Sequence, residues 1–101
     1  MASRYDLVIT ETAEKGFSDI CTYITETFYN PDASSKLASR VKSGLMLLRD
    51  FPEMHPVFYE KHRRCVVENI VAIYRIDEIK NQVVVTDIFD ARMNYPERFK
   101  K

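Results

Sequence analysis

The chain has few of the residues that break or cross-link a polypeptide. Its 101 residues include two glycines, four prolines and two cysteines, and no tryptophan. With 46% hydrophobic residues, this composition excludes a disordered or collagen-like chain. There is no apolar run of membrane length and no signal peptide, so we expect a cytoplasmic protein without a membrane partner. This length predicts one domain over residues 1–101.

Charge and cysteine content exclude further classes. Fifteen basic and fifteen acidic residues cancel, so an affinity for nucleic acid would have to come from local clusters. Cys21 and Cys65 each lie in an apolar pattern, which predicts two buried thiols in a reducing compartment. There is no CxxC pair, and His55 and His62 are not at ligand spacing, so no metal or cofactor is expected.

The first half of the chain predicts one strand and two helices. Tyr5–Thr10 alternates apolar and polar residues, which is typical of a short strand. Thr10 or Thr12 is the expected N-cap of the first helix. Asn30 fits the N-cap of the second helix, and Pro31 fits its first position. Because so short a turn joins the helices, we expect an antiparallel hairpin.

The second half predicts three strands. Runs rich in Val, Ile and Tyr cover Lys61–Val67, Ile70–Asp77 and Gln82–Phe89, with short polar turns between them. Residues 53–60 are expected to form a loop. The predicted order is β-α-α-β-β-β. This is an α+β fold in which an antiparallel two-helix hairpin packs on a mainly antiparallel four-stranded sheet that includes the N-terminal strand.

Two basic clusters are candidates for binding phosphate. Guanidinium groups suit phosphate because they are always charged and donate paired hydrogen bonds. Tyr59, Tyr95 or His62 could stack on a base or move a proton, although ordinary packing is the alternative for both tyrosines. Solvated strand ends are the alternative for both clusters. The clusters are Lys61, His62, Arg63 and Arg64, and then Arg92, Arg98, Lys100 and Lys101.

Motifs along nearly the whole chain resemble those of the RelE/ParE superfamily, the toxins of bacterial type II toxin–antitoxin modules. They are Tyr5-x-Leu-Val-Ile-Thr10-x-x-Ala13, Asp19-Ile20-x-x-Tyr23-Ile24, Phe51-Pro52, Arg63-Arg64-x-Val-Val-x-Asn69-x-Val-x-x-Tyr74-Arg75-Ile76-Asp77 and Asp90-x-Arg92-x-Asn94. The resemblance implies a toxin that is neutralised by the wrapped tail of a cognate antitoxin.

RelE-like members cut messenger RNA on the ribosome without a metal ion, and this is the leading functional hypothesis. It makes Arg63, Arg92 and Tyr95 the expected catalytic residues. It makes Lys61, His62, Arg64 and Arg98 the expected RNA-binding residues. The hypothesis requires Arg63 and Arg92 to converge at one margin of the sheet.

Two alternatives remain open. ParE-like members block DNA gyrase and have no nuclease activity. A non-toxic module that only binds antitoxin is the third reading. It is motivated by Val71, which stands where RelE-like nucleases often carry an arginine, and by Tyr95, which follows Arg92 by only three residues. For the antitoxin, we expect an apolar groove on the sheet, with Val84 and Ile88 on one face and Val83 and Val85 on the other.

Overall fold

Two helices lie across one face of a five-stranded sheet in the computed structural model, which describes residues 4–28 and 30–92. The elements are β1 (Asp6–Ile9), α1 (Glu11–Phe28), α2 (Pro31–Leu47), β2 (Val57–Tyr59), β3 (His62–Val67), β4 (Ile70–Asp77) and β5 (Gln82–Asp90). The strand order is β1-β5-β4-β3-β2, with β1 parallel to β5 and the other neighbours antiparallel. The α+β class and the helix hairpin on a mainly antiparallel sheet are confirmed.

The prediction of four strands was wrong by one, because part of the expected 53–60 loop is strand β2. Val57 pairs with Arg63 and Tyr59 pairs with His62, with an irregularity between the two pairs. Three residues directly after Pro56 are too few to show the alternation that marks a strand in sequence. β2 forms the outer edge of the sheet beside β3.

Both helices begin where the capping residues predicted. The Ala13 N–H donates to Oγ1 of Thr10 at 3.2 Å, and the Ala33 N–H donates to Oδ1 of Asn30 at 3.1 Å. Pro31 occupies the first position of α2, where a missing N–H leaves no bond unmade. Among the described residues, neither helix has the length and apolarity to cross a membrane.

The main core lies between the helices and the sheet, and two glycines bring α1 and α2 close to the strands. Gly16 of α1 lies against the backbone carbonyl of Ile88, so an added Cβ would overlap that oxygen. Gly44 of α2 faces the side chain of Val67 in β3. The most deeply buried core residues are Ala13, Leu48, Tyr74, Val83 and Val85.

A bulge at Thr86 sets which side chains of β5 face the helices. Tyr74 pairs with Val85 and Ile73 pairs with Asp87, so Thr86 is the extra residue. The extra residue shifts the alternation, and Ile88 joins Val85 in the core beneath the helices. The prediction that grouped Ile88 with Val84, away from Val83 and Val85, was therefore wrong for Ile88.

Candidate functional site

The first basic cluster is divided between the two faces of the sheet. Arg63 pairs with Tyr74, whose side chain lies in the core under the helices. Arg64 pairs with Ile73, which belongs to a separate apolar cluster on the other face. Because successive residues of a strand point to opposite sides, Arg63 and Arg64 lie on opposite faces of the sheet and do not contribute to one site.

Arg63 fastens a loop to the sheet. Its Nη1 donates to the carbonyl oxygen of His55 and, at 3.5 Å, to that of Glu53. The Tyr74 hydroxyl donates to the carbonyl oxygen of Pro52 at 2.7 Å. Arg63 of β3 and its pairing partner Tyr74 of β4 thus both hydrogen-bond the loop between α2 and β2. The contacts of Arg63 are those of a structural residue.

Burial keeps the aromatic groups beside Arg63 uncharged. Burial raises the pKa of Tyr74 to about 12, an effect opposed by the nearby charge of Arg63. The His55 ring meets the Tyr74 ring edge-on at 6.3 Å between centres, and burial lowers the pKa of His55. Both groups are neutral at neutral pH, which suits packing.

The surroundings of Arg63 do not attract anions. A hollow of about 350 Å³ is lined by Lys61, Arg63 and three carboxylates, those of Glu53, Glu60 and Glu78. Arg4 lies 4.0 Å from Glu53, so three cations and three anions leave the hollow without net charge. Such a hollow does not attract a phosphate backbone, so the lining does not favour an RNA site at Lys61 and Arg63.

The other two members of this cluster contact aromatic rings. The guanidinium carbon of Arg64 lies 5.2 Å from the centre of the Phe58 ring, within cation–π range. The His62 ring lies 6.1 Å from the Tyr59 ring. These contacts fasten β2 to β3 at the edge of the sheet.

Arg92 is held by a buried carboxylate at the far end of β5. Its Nε and Nη2 donate to Oδ1 and Oδ2 of Asp90 at 3.1 and 2.8 Å, and its backbone N–H donates to Oδ1 at 2.9 Å. The Asp90 side chain is 3% exposed and that of Arg92 is 65% exposed. Hydrogen bonds from Arg92 lower the pKa of Asp90 in spite of its burial, and Asp90 raises that of Arg92.

The strand register separates Arg63 from Arg92. Arg63 is level with Tyr74 in the middle of β4, whereas Asp90, two residues before Arg92, pairs with Ile70, the first residue of β4. Four residues of strand, about 13 Å at 3.3 Å per residue, lie between these levels. The expectation that the two arginines converge at one margin was therefore wrong, because β3 and β5 run parallel on either side of β4 and the two arginines lie at opposite ends of them.

The remaining candidates can be placed only in part. Tyr95 and Arg98 lie outside the described residues. Cys65 is buried, and burial raises the pKa of its thiol, which keeps it inert. Cys21 is only partly buried, so the expectation of two buried thiols holds for Cys65 alone. Within residues 4–28 and 30–92, no group of three or more His, Cys, Asp or Glu side chains could hold a metal ion.

An apolar groove lies between the helices and β1, not over the sheet positions where one was expected. This groove, of about 400 Å³, has walls from both helices and a floor of sheet residues. Val83, Val84 and Val85 of the expected site are buried. Sequence reasoning missed the position because it overlooked the bulge, which turns Ile88 toward the helices. The apolar lining comprises Leu7, Ile9, Phe17, Val41, Leu45, Met46 and Ile88.

Asp90 is a residue of the site to which the sequence analysis assigned no role. An Asp-x-Arg pair at the end of a strand places both side chains on one face, because the side-chain period is two. That spacing predicts a carboxylate–guanidinium contact and could have identified Asp90 as the partner of Arg92.

Comparison with solved structures identifies the fold. The chromosomal ParDE toxin–antitoxin system from P. aeruginosa contains a chain that superposes with a TM-score of 0.75 at 14% identity, covering 88% of this chain and 98% of that one. The RelBE2 toxin–antitoxin complex from Mycobacterium tuberculosis contains another, with a TM-score of 0.61 at 19% identity, covering 86% and 98%. The fold is that of the RelE/ParE toxins. No curated protein matches the chain in sequence.

A family model gives the narrower assignment. The model for the ParE toxin of the type II toxin–antitoxin system parDE matches residues 7–95, which is most of the chain. The protein belongs to this family of type II toxins, within the RelE/ParE superfamily that its sequence motifs resemble.

Proposed function

We propose that this chain is a ParE-like toxin that arrests growth by inhibiting DNA gyrase and does not cut RNA. The observation that carries the proposal is the separation of Arg63 from Arg92. A phosphoryl centre needs its cationic groups within hydrogen-bonding reach of one reacting phosphate. Arg63 is level with Tyr74 in the middle of β4, whereas Arg92 lies beyond Ile70, the first residue of that strand. Each arginine is bonded to acceptors of its own chain.

Charge also favours the non-nucleolytic reading. The chain carries no net charge, and the hollow around Lys61 and Arg63, counted with Arg4 beside Glu53, carries no net positive charge. Binding to RNA depends mainly on neutralising phosphates, and this surface is poorly suited to that. Val71, which stands where RelE-like nucleases often have an arginine, is 3% exposed and packs in an apolar cluster. Ribosome-dependent cleavage stays a prediction with less support.

The toxin is proposed to be neutralised by a cognate antitoxin whose apolar segment fills the groove beside β1. The apolar wall contributed by Phe17, Leu45 and Met46 suits the apolar face of an amphipathic segment. Glu14 and Lys42 also line the groove, so a complementary segment would carry a basic and an acidic residue at the matching positions. The two similar structures come from a toxin–antitoxin system and a toxin–antitoxin complex, which supports a partner of this kind.

Expression without antitoxin tests the proposal. The gyrase hypothesis predicts growth arrest, accumulated DNA breaks and uncut messages in primer extension. Cuts within codons, without DNA breaks, would establish the nuclease instead. Normal growth at verified soluble levels of the protein would leave only the non-toxic antitoxin-binding module.

A further inference from the structure

Another cavity lies where the helix hairpin meets the turn between β3 and β4. Its volume is about 350 Å³, within the range of small-molecule sites. Ile24 of α1, Leu37 of α2 and Ile70 of β4 give it an apolar floor. It shares no lining residue with the groove proposed for the antitoxin.

Three cationic side chains surround this apolar floor. Lys36 and Arg40 are four residues apart on α2, so they lie on one side of the helix, and both line the cavity. Arg92 lines it from the end of β5. Two carboxylates form ion pairs with these cations: Glu68 with Arg40 at 2.7 Å, and Asp90 with Arg92 at 2.8 Å. Three cations and two anions give a net charge of +1.

Arg92 is oriented toward a ligand by the way that Asp90 holds it. The guanidinium is a rigid fork with five N–H donors. Bonds to Asp90 occupy the edge formed by Nε and Nη2, so the Nη1 hydrogens point away from that carboxylate. Asp90 is buried and cannot swing out, so the position of Arg92 is fixed before any ligand arrives. Preorganised donors of this kind favour binding because little side-chain entropy remains to be lost.

Glu68 is a carboxylate that a ligand could replace. Its side chain is 48% exposed, and a surface ion pair of this sort contributes little to stability. A multivalent anion that contacts Lys36, Arg40 and Arg92 together can therefore compete for Arg40.

We propose that this cavity binds a small phosphate-bearing molecule with an apolar planar body, of the size of a mononucleotide. A phosphate group has three terminal oxygens, which accept from donors in several directions, whereas the two oxygens of a carboxylate lie in one plane. The apolar floor suits the face of a base. The proposal does not depend on gyrase inhibition or on the antitoxin, because the cavity is separate from the groove.

Titration of the full-length toxin with adenosine monophosphate tests this site. Calorimetry gives the affinity, and amide NMR shifts at Glu68, Asn69 and Ile70 give the location. Adenosine and inorganic phosphate serve as the two partial ligands. We expect saturable binding of the nucleotide, with either partial ligand weaker by about tenfold or more.

Charge-removing variants decide whether the named cations bind the ligand. Lys36→Gln and Arg92→Gln are each expected to weaken binding about tenfold, and Lys42→Gln, a basic residue of α2 that lines the other groove, should leave it unchanged. Lys36 is exposed, so its variant should fold even if that of Arg92 does not. Absent or unsaturable binding, equal binding of adenosine, or an equal loss in Lys42→Gln would overturn the proposal.

Discussion

Arg63 is level with Tyr74 in the middle of β4, whereas Arg92 lies beyond Ile70, the first residue of that strand. Each is bonded to its own part of the chain, Arg63 to the loop before β2 and Arg92 to a buried carboxylate. The two arginines occupy motif positions similar to those of nucleases, but they do not form one site. The two arginines perform separate tasks, and each task has a measurable consequence.

Replacing Arg63 should reduce stability without abolishing toxicity. Arg63→Gln removes the hydrogen bonds to the carbonyl oxygens of His55 and Glu53, which should lower the free energy of unfolding by about 1–2 kcal/mol. Urea denaturation measures the loss. Lys61→Gln, an exposed change nearby, is the control and should stay within about 0.5 kcal/mol of the parent. Loss of growth arrest in a folded Arg63→Gln protein would instead favour a catalytic role.

The Asp90–Arg92 pair should make stability depend on pH on the acid side. The pKa of Asp90 lies below its ordinary value of 3.8, so its contribution is present above that pH. The contribution is lost as the pH falls through the lowered pKa. Asp90→Asn should therefore be less stable near neutrality and should lose less stability between neutral pH and about pH 3 than the parent does.

Urea denaturation across this pH range is the measurement. Arg92→Gln is the complementary variant, because burial then outweighs the remaining backbone hydrogen bond and raises the pKa of Asp90 above its ordinary value. The contribution of Asp90 to stability in this variant should then increase as the pH falls through the raised pKa, opposite to the parent. Identical pH profiles for the parent and Asp90→Asn would contradict this account of the pair.

The two glycines should respond differently to alanine. Gly16→Ala places a Cβ against the carbonyl of Ile88, and rigid backbone on both sides should make the change destabilising by about 1–3 kcal/mol. Gly44→Ala brings its Cβ to 2.9 Å from a methyl group of Val67, a side chain that can shift, and to an ordinary contact of 4.0 Å with the Cys65 sulfur. Its gain in helix propensity, about 1 kcal/mol, should roughly offset that crowding. Thermal unfolding compares the two, and equal losses would refute the close α1–β5 contact.

Antitoxin binding should depend on the groove beside β1. Met46 lines that groove and is 40% exposed, so Met46→Glu should fold and should weaken antitoxin binding by about tenfold or more. Met54→Glu is the matched control, since Met54 is 53% exposed and does not line the groove. Calorimetry with the antitoxin tail gives both affinities. Equal affinities for the two variants would show that the antitoxin does not bind in this groove.

Local sequence patterns predicted the helices and most of the strands, but they did not predict how the strands pair. The caps at Thr10 and Asn30 act within four residues of chain, so the sequence shows them directly. The bulge at Thr86 depends on how β5 pairs with β4, and no local pattern marks it. One extra residue there reversed the predicted face of Ile88.

The candidate site was harder to predict for the same reason. Strand order and register decide whether Arg63 and Arg92 meet, and both are properties of the assembled sheet. The motifs gave the superfamily correctly because they record residue types in order along the chain. They contain no information on which end of a neighbouring strand each residue reaches.

Paired assays on the purified toxin test the central claim most directly, one for gyrase supercoiling and one for cleavage of messages on programmed ribosomes. The account predicts that supercoiling is inhibited in proportion to the toxin added, while the messages stay intact. Unimpeded supercoiling together with cut messages would contradict it.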